Sequence, residues 1–200
     1  MQTLKQASSG LKAKNFLGEY TFMHLLKTIR DSDFNSTIPP PAQYKERHAT
    51  RAIVFDAQNY IGLIYSTKKN YHKLPGGGVE EGEELIDSLK REVMEEIGCH
   101  IDTITELGIV EEFRNKFALH QISHCYIAYV LGAKNKPNYE QYEIAEGFEP
   151  VWMSLDEAIA TLEREGTVEH YEGKFMQLRD FIVLKEGKKI ISNFQKSKNS

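Results

Sequence analysis

Three glutamates stand at the spacing i, i+3 and i+4 within a segment whose pattern predicts a helix. At about 100° per residue, Glu92, Glu95 and Glu96 share an arc roughly 100° wide. The apolar side chains of this helix cover an arc that includes Glu96, so that carboxylate points toward the packed side. Because an unpaired buried charge is costly, Glu96 needs a partner. A hard divalent cation such as Mg²⁺, which takes oxygen ligands, suits these residues.

A glycine-rich turn precedes the helix and suits a phosphorylated ligand. Gly76 and Gly77 lack a Cβ, which allows a bulky group to approach the backbone. The turn leads to the helix N-terminus, where free N–H groups and the dipole favour anions. Arg91 stands four residues from both Asp87 and Glu95 and could orient a carboxylate, although a surface salt bridge is the plainer interpretation. We expect Gly76, Gly77 and Arg91 to bind substrate or phosphate.

Strand and helix patterns alternate around this segment. Gly98 is expected to end the glutamate helix, and Ser154 with Glu157 has the spacing of a capping box. This order predicts an α/β protein with a mixed central sheet flanked by helices. The predicted strands cover 50–56, 60–67, 72–74, 101–117, 119–131 and 150–154, and the predicted helices cover 83–97, a segment after 154, and 168–184.

Polar and proline-rich stretches divide the 200-residue chain into three parts. We predict that residues 1–44 form a partly disordered N-terminal extension, because Pro39–Pro41 cannot continue a helix or a central strand. We predict that residues 45–190 form the main domain and that residues 191–200 form a frayed tail. The extension could cover a sheet edge or contribute to a homodimer.

Composition excludes several classes of protein. A net charge of −4 provides no basic surface for a nucleic-acid polymer. No apolar run approaches the roughly 20 residues that a membrane-spanning helix needs. Two cysteines cannot form a disulfide-dense scaffold or a four-sulfur zinc site. We therefore expect a cytoplasmic protein that binds neither membrane nor nucleic acid.

The segment from Gly77 to Cys99 resembles the Nudix box of the Nudix hydrolase family, in its MutT-like form. The box reads Gly, five residues, Glu, seven residues, Arg-Glu-aliphatic-any-Glu-Glu-any-Gly-aliphatic. Cys99 in the last aliphatic place is the one departure, and a free cysteine behaves as a small hydrophobe. The matching residues are Gly77, Glu83, Arg91, Glu92, Val93, Glu95, Glu96, Gly98 and Cys99.

The resemblance implies an α/β/α sandwich that hydrolyses a diphosphate link in a nucleotide-type small molecule. Glu92, Glu95 and Glu96 would hold Mg²⁺ or Mn²⁺, and Glu83 would support the metal shell. A general base comes from a box glutamate in some relatives, here Glu92 or Glu95. In others it comes from a later loop, where Glu146 is our first candidate and Glu149 the second.

Substrate and activity leave alternatives open. Nudix hydrolases of ADP-ribose often carry a proline some way beyond the box, where this chain has Phe113 and Arg114. The absence of the proline slightly favours nucleoside triphosphates as substrates. The alternatives are an ADP-ribose or nucleotide-sugar pyrophosphatase, an isomerase of isoprenoid diphosphates, and a Nudix-like module that senses a nucleotide without hydrolysing it. A complete set of glutamates argues against the sensor, because a binder would not need all of them.

Overall fold

The computed structural model describes residues 12–14, 20–22, 24–165 and 168–198. The strands are β1 (Lys12–Lys14), β2 (Tyr20–Phe22), β3 (Leu25–Arg30), β4 (Lys45–Phe55), β5 (Tyr60–Ser66), β6 (Tyr71–Lys73), β7 (His100–Arg114), β8 (Leu119–Leu131) and β9 (Phe148–Ser154). The helices are α1 (Leu85–Ile97), α2 (Gln141–Glu146), α3 (Leu155–Glu165) and α4 (Tyr171–Lys198), with short 3-10 turns at Asp31–Phe34 and Asn115–Phe117.

Seven strands form one mixed sheet in the order β3-β7-β8-β4-β5-β6, and β9 pairs with β5. β4 runs parallel to β8 over its whole length, and β3 runs parallel to β7. The other neighbouring pairs are antiparallel, including the predicted hairpin of β4 and β5. The turn that follows β6 lies beside the middle of β4, where Ala49 forms an isolated bridge with Gly78.

Helices cover both faces of the sheet, as an α/β/α sandwich requires. On one face α1 buries Leu89, Val93 and Ile97 against side chains of β4, β5 and β8. On the other face α3 and α4 bury Leu162, Phe175 and other apolar residues against the alternate side chains of the same strands. Successive side chains of a strand point to opposite faces of the sheet, so the same strands pack against α1 on one face and against α3 and α4 on the other. The predicted fold class is confirmed.

Two predicted helix ends are confirmed by their local geometry. Gly98 follows α1 in the left-handed conformation, with φ of 67°, and its N–H donates to the Met94 carbonyl. Before α3, the Ser154 N–H donates to the Glu157 carboxylate, and the Glu157 N–H donates back to the Ser154 hydroxyl. This reciprocal pair is the predicted capping box, and it fixes where β9 passes into α3.

The ends of the chain differ from the sequence-based division. β3 lies within the predicted extension, yet it is an edge strand of the main sheet and pairs with β7. The extension thus covers a sheet edge, one of the two roles expected for it. Residues 1–11, 15–19 and 23 of the extension lie outside the described residues, and so does the expectation of partial disorder where it falls on them.

α4 begins near the predicted position and continues to Lys198, well past the expected end at 184. The predicted tail at 191–200 is therefore helical as far as 198. Polar residues such as those after Ile191 are compatible with a helix once its earlier turns are anchored by packing. Within the described ranges, no helix combines the length and apolar character needed to cross a bilayer.

Candidate active site

The turn after β6 lies along the edge of β4 and is held there by backbone hydrogen bonds. The N–H of Thr50 donates to the carbonyl of Gly77 at 2.9 Å, and that of Ala52 to the carbonyl of Pro75 at 3.1 Å. Gly76 has φ of +132°, and a Cβ there would overlap the Thr50 carbonyl oxygen. Glycine is required at Gly76 because the turn bends while its backbone touches the strand.

Glu96 enters the packed interior of α1, as its place on the helix predicted. Its side chain is only 2% exposed. The N–H of Gly76 donates to Oε2 at 2.6 Å, and the ammonium of Lys73 lies 2.7 Å from Oε1. Both oxygens therefore have charged or polar partners, as burial of a carboxylate demands.

Glu92 lies one turn earlier on α1, with its carboxylate directly against the backbone of Gly77. A Cβ at Gly77 would overlap all three atoms of that carboxyl group. Burial, followed by the nearby charge of Glu96, raises the pKa of Glu92. The turn and the helix are thus in contact through an acidic group that neighbours another one, an arrangement that a cation would stabilise.

Arg91 connects the acidic residues of the box. Its Nε and Nη2 each lie 2.9 Å from a different oxygen of Glu83, and Nη1 lies 2.8 Å from Glu92 and 3.2 Å from Glu95. The expected pairing with Glu95 is present, but no contact of the described residues joins Arg91 to Asp87. The hydrogen bonds from Arg91 lower the pKa of Glu83 to about 2. Arg91 therefore orients three carboxylates at once.

The loop candidates for the general base lie at the end of α2 and at the beginning of β9. Glu146 is the last residue of this helix, and its Oε1 lies 2.9 Å from the Lys69 ammonium. Its Oε2 is buried without a hydrogen-bond partner among the described residues. Among those residues, no contact joins Glu146 to the glutamates of α1. Glu149, the second candidate, is exposed on β9.

Sequence reasoning missed three residues around Glu96. Lys73 contacts it directly, and Glu143 on α2 is buried with only 3% exposed. The Tyr139 hydroxyl is buried without a partner among the described residues, and burial followed by the charge of Glu96 raises its pKa. The alternation of β6 could have placed Lys73 on one face of the strand, but not opposite a particular glutamate.

The donor set of the site fits a hard divalent cation. All candidate ligands are carboxylates, and Glu92 lies in contact with Gly77 where any Cβ would displace it. In the part of the chain that the structure describes, no three acidic, histidine or cysteine side chains already surround one point for a metal. Lys73 now contacts Glu96, and Arg91 contacts Glu92 and Glu95. A cation bound by these glutamates would replace some of those contacts.

A sequence model of the NUDIX domain matches residues 45–176. A MutT NUDIX hydrolase from Burkholderia pseudomallei shares 22% identity over 56% of this chain and 85% of that chain, with a TM-score of 0.45. A structure from work on MutT of Aliivibrio salmonicida and Vibrio cholerae shares 20% identity over 56% and 80%, with a TM-score of 0.41. No curated protein matches the sequence.

Proposed function

The chain belongs to the NUDIX domain family, and from this premise we propose that it is a metal-dependent pyrophosphohydrolase of a nucleotide-type diphosphate. Hydrolysis of phosphoanhydride-type substrates is the general activity of Nudix hydrolases. The observation that carries the proposal is the contact of Arg91 with Glu83, Glu92 and Glu95 beside the turn at Gly77. This arrangement concentrates negative charge beside the turn, where a bound cation would attract a phosphate chain.

Glu92, Glu95 and Glu96 would hold Mg²⁺ or Mn²⁺, and Glu83 would support them through Arg91. When bound, the cation neutralises the oxygens of the diphosphate and makes an attacking water more acidic. The protein's own part is positioning. Arg91 fixes the carboxylates before substrate arrives, which reduces the reorganisation needed during the reaction.

Proton transfer is assigned to Glu146, with the box glutamates Glu92 and Glu95 as alternatives. The unpartnered Oε2 of Glu146 supports this choice, since a base needs an available lone pair. The N–H of Gly77 and the Arg91 guanidinium are the proposed phosphate contacts. Gly76, the third residue expected to bind phosphate, already donates its N–H to Glu96, so its proposed part is to hold that carboxylate.

A panel of nucleoside triphosphates, ADP-ribose and nucleotide sugars, incubated with Mg²⁺, tests the proposal by release of phosphate or pyrophosphate. We expect turnover by the native chain and a loss in Glu96→Gln larger than the 10- to 100-fold that removal of an outer-shell partner typically costs. Glu81→Gln, an exposed glutamate before the helix, is the matched control. Binding of nucleotide and metal without any turnover would favour the sensor module instead.

We infer a small-molecule substrate and a cytoplasmic location, with no nucleic-acid polymer and no membrane as partner. The homodimer stays a prediction, and light scattering on the purified full chain measures it directly.

A further inference from the structure

Four arginines gather on the sheet face opposite α1, and we call them the arginine cluster. Arg47 and Arg51 come from β4, Arg114 from β7 and Arg179 from α4. The positive charges interact, because Arg114 and Arg179 lower the pKa of Arg47, after burial as the largest cause. Burial, then the charge of Arg179, lowers the pKa of Arg51 to about 10. The cluster is therefore a concentration of like charge that the fold must compensate.

Two carboxylates contact the cluster. Oε2 of Glu112 lies 2.9 Å from Nη2 of Arg114 and 3.7 Å from Nη1 of Arg179. Oδ1 of Asp180 accepts from Nε of Arg179 at 2.8 Å, and its Oδ2 accepts from the Leu74 N–H. The charges of Glu92 and Glu96 act on Arg47 and Arg51 from across the turn as well, so the cluster depends on the glutamates of α1 for part of its charge balance.

Three guanidinium nitrogens in the cluster also lack hydrogen-bond acceptors among the described residues. They are Nε of Arg51, Nε of Arg114 and Nη2 of Arg179. These side chains belong to residues that are 9%, 8% and 1% exposed, respectively. An unsatisfied buried donor on a charged group is costly, and such donors in native proteins usually indicate a missing partner. Oε1 of Glu112 is likewise buried without a partner among the described residues, so the cluster holds unpartnered donors and one unpartnered acceptor, and a protonated anion such as monohydrogen phosphate offers both kinds of partner.

The cluster lies directly behind the turn of the candidate active site. A Cβ at Gly78 would lie 2.6 Å from Nη2 of Arg47, and one at Gly76 would lie 3.0 Å from Cα of Arg51. Arg47 is the exposed member, and its Nη1 donates to Gln121, whose amide donates in turn to Glu112. Arg47 thus stands at the solvent edge of a polar path that leads to the buried arginines.

Charge balance links the two sites further. The pKa of Arg47 responds to Glu92, and that of Arg51 responds to Glu96. A cation on the glutamates would neutralise the charge that now offsets these arginines across the turn. The four arginines would then have only Glu112 and Asp180 to balance them, and an anion beside the cluster would be favoured.

We propose that the arginine cluster binds an anionic group of the substrate, of the phosphate class, separate from the diphosphate held at the glutamates. This inference rests on the proposed function and narrows its substrate. Compounds with an additional phosphate or similar dianion are favoured over those whose remaining part is neutral. The competing role of the cluster is purely structural, as a clamp between α4 and the sheet.

Inorganic phosphate, titrated into the full chain in EDTA, tests the proposal without metal or hydrolysis. With ¹⁵N-labelled arginine, we expect saturable shifts of the Nε signals of Arg51 and Arg114. Arg47→Met removes the exposed donor and should weaken phosphate binding about tenfold, the effect of one hydrogen bond to a charged group. Arg164→Met, on the exposed side of α3, should leave the titration unchanged.

Two results would overturn the proposal. The Nε signals of Arg51 and Arg114 could stay in place during the titration, or they could shift without saturating, as they would in response to ionic strength alone. Either result assigns the cluster to the clamp. Failure of the proposed function would give a different result: the native chain would turn over no compound of the substrate panel, while phosphate would still shift the Nε signals. Glu96→Gln, expected to lose turnover and keep that response, separates the two.

Discussion

The ammonium of Lys73 lies 2.7 Å from Oε1 of Glu96, and the side chains are 12% and 2% exposed. The same ammonium lies 4.5 Å from the centroid of the Phe148 ring. A cation bound at Oε1 of Glu96 would lie close to the positive charge of this ammonium, and the repulsion between the two disfavours their binding the carboxylate together. Lys73 therefore competes with the proposed metal for one of its ligands.

Lys73→Met should raise the affinity for Mn²⁺, by at least about tenfold, because the internal competitor is removed while Glu96 stays buried and unpaired. The same substitution should lower stability in EDTA, and Mn²⁺ should restore much of the loss. Electron paramagnetic resonance titration measures the affinity, and thermal unfolding with and without Mn²⁺ measures the rescue. Lys90→Met, an exposed lysine on α1, is the control. Unchanged or weaker Mn²⁺ binding in Lys73→Met would contradict the competition.

Substitution of the two adjacent glycines should separate folding from function. In Gly77→Ala, the new methyl group meets the end of the Glu92 side chain, which can move. We expect nearly native thermal stability but weaker Mn²⁺ binding. In Gly76→Ala, the methyl group meets the Thr50 backbone at φ of +132°, so stability itself should fall by about 1–3 kcal/mol. Native Mn²⁺ affinity in Gly77→Ala would show that Glu92 is not a ligand.

The assignment of Glu146 as base makes a kinetic prediction. Glu146→Gln should lower kcat by about 10²- to 10⁴-fold with little change in KM, and should remove one limb of the pH–rate profile. Glu149→Gln, on the exposed surface of β9, should behave like the native chain. If Glu146→Gln retains native kcat, the base lies elsewhere, and the box glutamates Glu92 and Glu95 become the candidates.

The lowered pKa of His124 predicts that stability depends on pH for a reason unrelated to the active site. Burial, followed by the charge of His48, lowers the pKa of His124 from 6.5 to about 4. Below pH 6.5 the unfolded chain binds this proton more readily, so stability should fall as pH decreases from 6.5 to 4, by up to about 3 kcal/mol. Urea unfolding should show a smaller decrease in His124→Gln. His100→Gln, an exposed histidine, is the control, and parallel pH curves for native chain and His124→Gln would refute the assignment.

Much of the fold could be predicted because its signals are local. Alternation of apolar residues indicates strands such as β8, and Ser154 with Glu157 marks a helix start through contacts three residues apart. The end of α4 could not be predicted from its polar composition, since its first turns are anchored by packing against the sheet. Nor could β3, whose place in the sheet depends on pairing with β7, about eighty residues away.

The spacing of the glutamates along the chain was enough to place Glu92, Glu95 and Glu96 on one side of a helix, because a helix converts sequence intervals into angles. It also placed Glu96 toward the interior. Which groups meet those carboxylates was decided only by the tertiary structure, which brings Lys73 to Glu96 and four arginines behind the same turn. These partners come from separate strands and from α4, and no local regularity relates their positions in the chain.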